Sequence, residues 1–166
     1  MPTKPEVIVL VGPMGVGKTT VGRKLAKALK VPFVDTDALF IAKHGAIADY
    51  FENHGETSFR AQEELVLAQA ISAPGVVATG GGAVLSELSR SRLTATTVVY
   101  LATDGKHIAS RIKNGNRPLL KNGLDDWQRI YDARKPIYES ICDFNINTSG
   151  QPLNATVAEI REKVGV

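Results

Sequence analysis

A three-layer α/β/α sandwich around a five-stranded parallel sheet is the fold class predicted from this sequence, on three observations. Five short apolar runs, at residues 7–11, 32–35, 75–79, 97–101 and 143–148, alternate with segments of helical periodicity. Strands alternating with helices make parallel pairs, joined by right-handed crossovers. The chain has 166 residues, the length of one domain with a sizeable core. Finally, the first strand passes into the first helix through a glycine-rich loop, a junction typical of open parallel sheets.

That junction carries the clearest chemistry. Val7-Ile8-Val9-Leu10-Val11 reads as a fully buried strand, and Val21, Leu25, Ala28 and Leu29 recur at helical spacing over about residues 18–30. Between them, Gly12-Pro13-Met14-Gly15-Val16-Gly17-Lys18-Thr19-Thr20 fits Gly-x-x-x-x-Gly-Lys-[Ser/Thr], the phosphate-binding loop. Gly12, Gly15, Val16 and Gly17 present backbone N–H groups to phosphate oxygens, and the helix N-terminus adds partial positive charge. Lys18 reaches toward the β- and γ-phosphates, and the Thr19 hydroxyl is a candidate Mg²⁺ ligand beside Thr20. The pattern implies a nucleoside triphosphate and leaves the reaction open.

Bulk composition narrows the classes. Hydrophobic residues make up 43% and charged residues 22%, ordinary for a soluble globular protein. Net charge is +3, from 20 basic and 17 acidic residues without a basic block, which argues against nucleic acid or a membrane surface and suits anionic ligands. The lone Cys142 forms no internal disulfide and falls on an apolar helical stripe, as a small core residue does. Without a leader pattern or an apolar run of about 18 residues, the expected location is the cytoplasm.

The second strand delivers Asp35-Thr36-Asp37 at its carboxyl end, where ligands of open sheets bind. Asp37 either binds a ligand or caps the helix that begins near Ala38. Residues 38–53 read as two short helices broken at Gly45, with a turn at Gly55. A helix capped by Thr57 or Ser58 follows, and Arg60 in its first turn opposes the dipole. It either pairs with Glu63 or Glu64 or awaits an anionic ligand.

The third strand runs into Gly80-Gly81-Gly82, whose backbone cost is justified where something must approach closely. A helix over about 85–93 and the fourth strand come next. From Asp104 a helix carries Ile108, Arg111 and Ile112, then gives way to a basic, Gly- and Asn-rich stretch containing Arg117. Such a stretch suits a lid over an anionic site, or a plain surface loop. The helix from about Asp125 has an apolar stripe with Trp127, Ile130, Tyr131, Ile137 or Tyr138, and Ile141, and Arg134 falls on it. A charge on an inward face meets a buried carboxylate or lines a ligand site. Pro136 is expected to kink this helix. The fifth strand, a turn through Gln151-Pro152 and a final amphipathic helix complete the chain.

An Asn-Lys-x-Asp guanine-reading stretch is absent, while Asp37, Arg60, Arg134 and the glycine triplet supply parts for a second, anionic substrate. Guanidinium groups clasp carboxylate or phosphate bidentately, so a phosphotransferase acting on a small hydroxy-acid or phosphate ester fits best.

The motifs at 12–20, 35–37, Phe59-Arg60 with Glu63-Glu64, 79–82, Arg117-Pro118-Leu119-Leu120, and Arg134 with Pro136 and Tyr138 together resemble the shikimate kinase family, along almost the whole chain. The resemblance implies the P-loop kinase fold of nucleoside monophosphate kinases, with strand order 2-3-1-4-5. It also implies transfer of the ATP γ-phosphoryl to the 3-hydroxyl of shikimate, on the path to chorismate and the aromatic amino acids. On this reading Asp37 orients the hydroxyl, Arg60 and Arg134 clamp the carboxylate, and Gly80, Gly81 and Gly82 line the floor. Asp35 and Thr19 hold Mg²⁺, Lys18 and Arg117 meet the phosphates, and Arg111 flanks the adenine. Many members carry an arginine in the loop after the last strand, where this chain has Gln151, the candidate contact to adenine or ribose. The expected organisation is a single domain over 1–166, with an acceptor-binding segment at about 36–62 and a mobile lid at about 112–124. The expected state is a monomer, with ATP and shikimate as ligands and neither nucleic acid nor membrane as partner. A related kinase for gluconate or a nucleoside monophosphate, or a silent nucleotide-binding regulator, is the alternative.

Overall fold

A computed structural model of the chain describes residues 6–111, 120 and 122–166, with 110 and 111 given by backbone alone. β1 (Val7–Val11) leads through the glycine loop into α1 (Lys18–Leu29), followed by β2 (Phe33–Asp35), α2 (Thr36–His44) and α3 (Ile47–Ala70). Then come β3 (Gly75–Ala78), a 3₁₀ turn at Ala83–Leu85, α4 (Glu87–Leu93), β4 (Thr97–Ala102) and α5 (Ile108–Arg111). The chain closes with α6 (Leu124–Ile141), β5 (Phe144–Asn147) and α7 (Leu153–Val164). The five strands are all parallel, in the order β2-β3-β1-β4-β5, as the resemblance implied.

Alternation along β1 explains the three layers. Val7, Val9 and Val11 face one way and pack with Leu67 of α3, Leu93 of α4 and Trp127, Tyr131 and Tyr138 of α6. Ile8 and Leu10 face the other way, against Val21 and Leu25 of α1 and Val157 and Ile160 of α7. With both faces covered, the central strands are apolar at every position. Phe40, Phe59 and Val66 form a separate small cluster between α2 and α3.

Several local expectations change. Asp35, not Asp37, caps α2: its Oδ1 accepts from the Ala38 N–H at 3.0 Å, and the helix starts at Thr36. The break at Gly55 (φ 81°) interrupts α3, but neither Thr57 nor Ser58 caps a new start; the Ser58 hydroxyl bonds the Tyr50 hydroxyl at 3.0 Å. After β4 the helix waits until Ile108, because Asp104 and Gly105 (φ 84°) form a turn in which the Lys106 N–H meets Asp104 Oδ1. α6 continues through Pro136 to Ile141, and partly buried Cys142 caps its C-terminus beside the core.

Candidate active site

The carboxyl ends of three strands are level, and that registry assembles the site. Leu10 of β1 and Asp35 of β2 both lie opposite Ala78 of β3. The Thr79 N–H and hydroxyl both donate to the Leu10 carbonyl, at 3.2 and 2.9 Å, and the Gly80 N–H donates to Thr36 Oγ1 at 3.1 Å. The glycine loop, Asp35, Asp37, Gly80 and Gly81 therefore share one cavity of about 270 Å³, lined also by Lys18, Thr19, Thr20 and Thr79, while Gly82 borders a separate cavity of about 720 Å³ with Arg60 and Glu63.

In the loop, Gly17 takes a left-handed conformation (φ 101°) at the N-cap of α1. A side chain on Gly12 would come within 2.6 Å of the Leu101 carbonyl of β4, so only glycine passes there. Lys18 is 8% exposed and donates to the carbonyls of Gly12 at 2.7 Å and Pro13 at 2.9 Å, which holds its ammonium over the loop. The Thr19 hydroxyl bonds Asp35 Oδ2, so the two residues named for Mg²⁺ meet. A hydroxyl and a carboxylate are hard oxygen donors that fit Mg²⁺, which takes one or two protein ligands and completes its shell with phosphate and water. Among the described residues no cluster of three or more His, Cys, Asp or Glu side chains exists to hold a metal by itself.

Each glycine of the triplet faces one acceptor-side residue. A Cβ on Gly80 would stand 2.8 Å from Asp37 Oδ1 and 3.2 Å from Glu63 Oε2. One on Gly81 would stand 3.3 Å from Met14 Cγ and 3.5 Å from Arg134 Nη1, and one on Gly82 would overlap the Arg60 guanidinium. The triplet is thus a floor that polar groups touch from above.

Electrostatics bind these groups together. Arg60 Nη1 donates to Glu63 Oε1 at 2.7 Å, and its guanidinium lies 5.1 Å over the Phe59 ring. Burial pushes the Glu63 carboxyl above the ordinary glutamate range; Arg60 opposes the shift, Asp37 adds to it and Arg134 lowers it. Arg134 is 8% exposed; burial lowers its pKa from the usual arginine value, and Tyr138 and Glu63 counter this. Two guanidiniums and two carboxylates therefore lie within electrostatic reach of one another beside the glycine triplet, where the guanidiniums can receive a small anion.

Beyond α1, Val16, Gly17, Thr20, Val21, Thr148, Gln151, Leu153 and Thr156 line a second cavity of about 370 Å³. Gln151 borders it, with its amide nitrogen on Glu159 Oε1 and its amide oxygen accepting from Thr156, each at 3.1 Å. Arg117 and most of the expected lid lie outside the described residues, as does the side chain of Arg111.

Three groups escaped the sequence reading of the site. Met14 leans on Gly81, the Trp127 indole donates to the Met14 carbonyl at 2.7 Å, and the Tyr138 hydroxyl donates to the Gly81 carbonyl. Met14 occupies a variable position of the loop motif. Trp127 and Tyr138 read as core, and the polar end of a buried aromatic leaves no mark on periodicity.

Comparison with known proteins gives a consistent result. The family model described as shikimate kinase matches residues 14–165. The shikimate kinase of Alteromonas mediterranea is 40% identical over 96% of each chain, and that of Pseudoalteromonas atlantica 41% identical over 95% of each. Among solved structures, shikimate kinase from Acinetobacter baumannii in complex with shikimate superposes with a TM-score of 0.90 at 36% identity, covering 98% of this chain and 94% of that one. The Aquifex aeolicus shikimate kinase follows at 0.83 and 31%, covering 96% of both. A Sinorhizobium meliloti gluconokinase, at 19% identity and 0.64, shares the fold alone. A phosphate loop, a paired Thr19 and Asp35, and an arginine-lined glycine floor thus occur in a chain whose likeness runs end to end, and the chain belongs to the shikimate kinase family.

Proposed function

We propose that this chain transfers the γ-phosphoryl of ATP to the 3-hydroxyl of shikimate, giving shikimate 3-phosphate and ADP. The observation that carries the reading is the glycine triplet, with Asp37 against Gly80, Arg134 near Gly81 and Arg60 against Gly82, the first two glycines lining the phosphate-loop cavity. Arg60 and Arg134 bind the shikimate carboxylate, displacing part of their present pairing onto the ligand. Asp37 accepts a hydrogen bond from the attacking hydroxyl and orients it; in a loose transition state its proton leaves late, so orientation matters more than basicity. Lys18 and the loop N–H groups hold the phosphates in line with that oxygen.

Thr19 and Asp35 would hold Mg²⁺, which neutralises charge on the transferring group. Arg117 would close over the phosphates from the lid and exclude water, a role that rests on the family resemblance. Gln151 and Leu153 border the cavity proposed for the base; that Arg111 would flank the adenine rests on the family resemblance alone. We also propose a cytoplasmic monomer. Among the described residues no helix is long and apolar enough to cross a membrane.

The decisive experiment couples ADP release to a spectrophotometric readout with purified protein, ATP, Mg²⁺ and shikimate. Turnover that depends on shikimate supports the reading; a rate equal to the ATP-only blank overturns it. Gluconate and nucleoside monophosphates serve as parallel acceptors, and preference for either would reassign the acceptor pocket.

A further inference from the structure

Helix α6 grips both halves of the site at points that the proposed transfer does not use. Near its start Trp127, 1% exposed, donates its indole N–H to the Met14 carbonyl in the phosphate loop at 2.7 Å. Near its end the Tyr138 hydroxyl donates to the Gly81 carbonyl and stands within electrostatic reach of the Arg134 guanidinium one turn earlier. The Tyr131 ring lies between the two, with centroids 5.2 Å from Trp127 and 6.5 Å from Tyr138. Tyr138 also packs on Tyr100 of β4 at 5.3 Å, and the Tyr100 and Tyr131 hydroxyls bond each other. The gripped points adjoin: Met14 Cγ would be 3.3 Å from a Cβ on Gly81.

We infer that Trp127 and Tyr138 are positioning residues, which fix the phosphate loop and the acceptor floor at one mutual spacing through the rigid body of α6. Neither touches substrate. Trp127 acts through the Met14 carbonyl, and Tyr138 acts through Gly81 and Arg134. In-line transfer is sensitive to the gap between donor and acceptor, so a loop freed at Met14 misaligns two substrates that each still bind. The inference deepens the phosphotransfer reading and rests on it.

Two variants keep an aromatic ring at each position: Tyr138→Phe removes only the hydroxyl, while Trp127→Phe removes the indole N–H together with the fused ring, so its kcat is read per folded enzyme. For Trp127→Phe we expect kcat per folded enzyme to fall about tenfold or more, with the Kd of ADP and of shikimate, each measured alone by calorimetry, staying within about threefold. For Tyr138→Phe we expect the shikimate Kd to rise about tenfold with the ADP Kd unchanged, because Arg134 and the floor lose their shared anchor. A lowered melting temperature with both Kd values and kcat per folded enzyme preserved would make the pair merely structural and overturn the inference. Should Trp127→Phe fail to fold, the wild type still decides. Trp127 is the sole tryptophan, so its emission should change on adding ADP and saturate at the calorimetric Kd; an unresponsive emission overturns its part. Wild-type protein that binds ADP with this emission change yet neither binds nor turns over shikimate defeats the acceptor assignment and leaves the Trp127 contact standing.

Discussion

Glu63 shows how one residue can be partner and burden together. It holds Arg60 in place, yet burial pushes its carboxyl upward against the pull of that arginine. An acid whose pKa is higher in the folded state stabilises the fold below its unfolded value, about 4.3, and loses that contribution as pH rises through the folded value. The stability of wild type relative to Glu63→Gln should therefore decline between about pH 4 and neutrality. Urea titrations at several pH values measure this; a difference that grows with pH would mean that the Arg60 pair outweighs burial. Arg134 lies in the same cluster, and Arg134→Ala should cost about 2–4 kcal/mol of shikimate binding, the scale of breaking a desolvated charge pair. An unchanged Kd would confine Arg134 to a structural role. The sequence singled out Asp37, Arg60 and Arg134 as candidates beside capping and ion-pair alternatives, and the structure gathers the three around the glycine triplet. The choice between Glu63 and Glu64 was not legible. Both lie within reach of Arg60 along the helix, and only tertiary packing sends Glu64 to Ser86 instead.

Among the elements, α1 packs closely on its neighbours at Gly22. A Cβ on Gly22 would fall 2.5 Å from the Phe33 ring of β2 and 3.4 Å from Leu10 of β1. Alanine gains about 1 kcal/mol in helix propensity, but overpacking typically costs about 1–3 kcal/mol. Gly22→Ala should therefore be neutral to destabilising by up to about 2 kcal/mol, and thermal melts will read it; a clear gain in stability would mean that Phe33 moves aside freely. Most elements were visible from periodicity, with boundaries wrong by a few residues where capping decided them. Asp35 and Asp37 are both good caps, and which one closes the helix depends on how β2 delivers the chain. The late start of α5 has a similar cause, a side-chain turn at Asp104 that competes with helix.

On the scale of the molecule, two large apolar layers lock the sheet, while α2 and the first half of α3 rest on a smaller cluster of aromatics. Hydrogen exchange should accordingly be faster over residues 36–62 than in β1, β3 and β4, with shikimate slowing the former. Uniform exchange across these segments would show the acceptor side to be as firm as the core. The layers followed from composition and alternation. The strand order did not, since periodicity carries no record of which buried strands are neighbours; it came with the family resemblance. That order makes the sheet a ruler. The cavity proposed for the base adjoins the loop after β5, the glycine loop follows β1, and the glycine triplet leaves β3 beside β2. At about 4.8 Å per strand, choice of nucleotide and choice of acceptor are written at opposite ends of a scale roughly 19 Å long. Evolution, or an engineer, can rewrite one end while the other stays as it is.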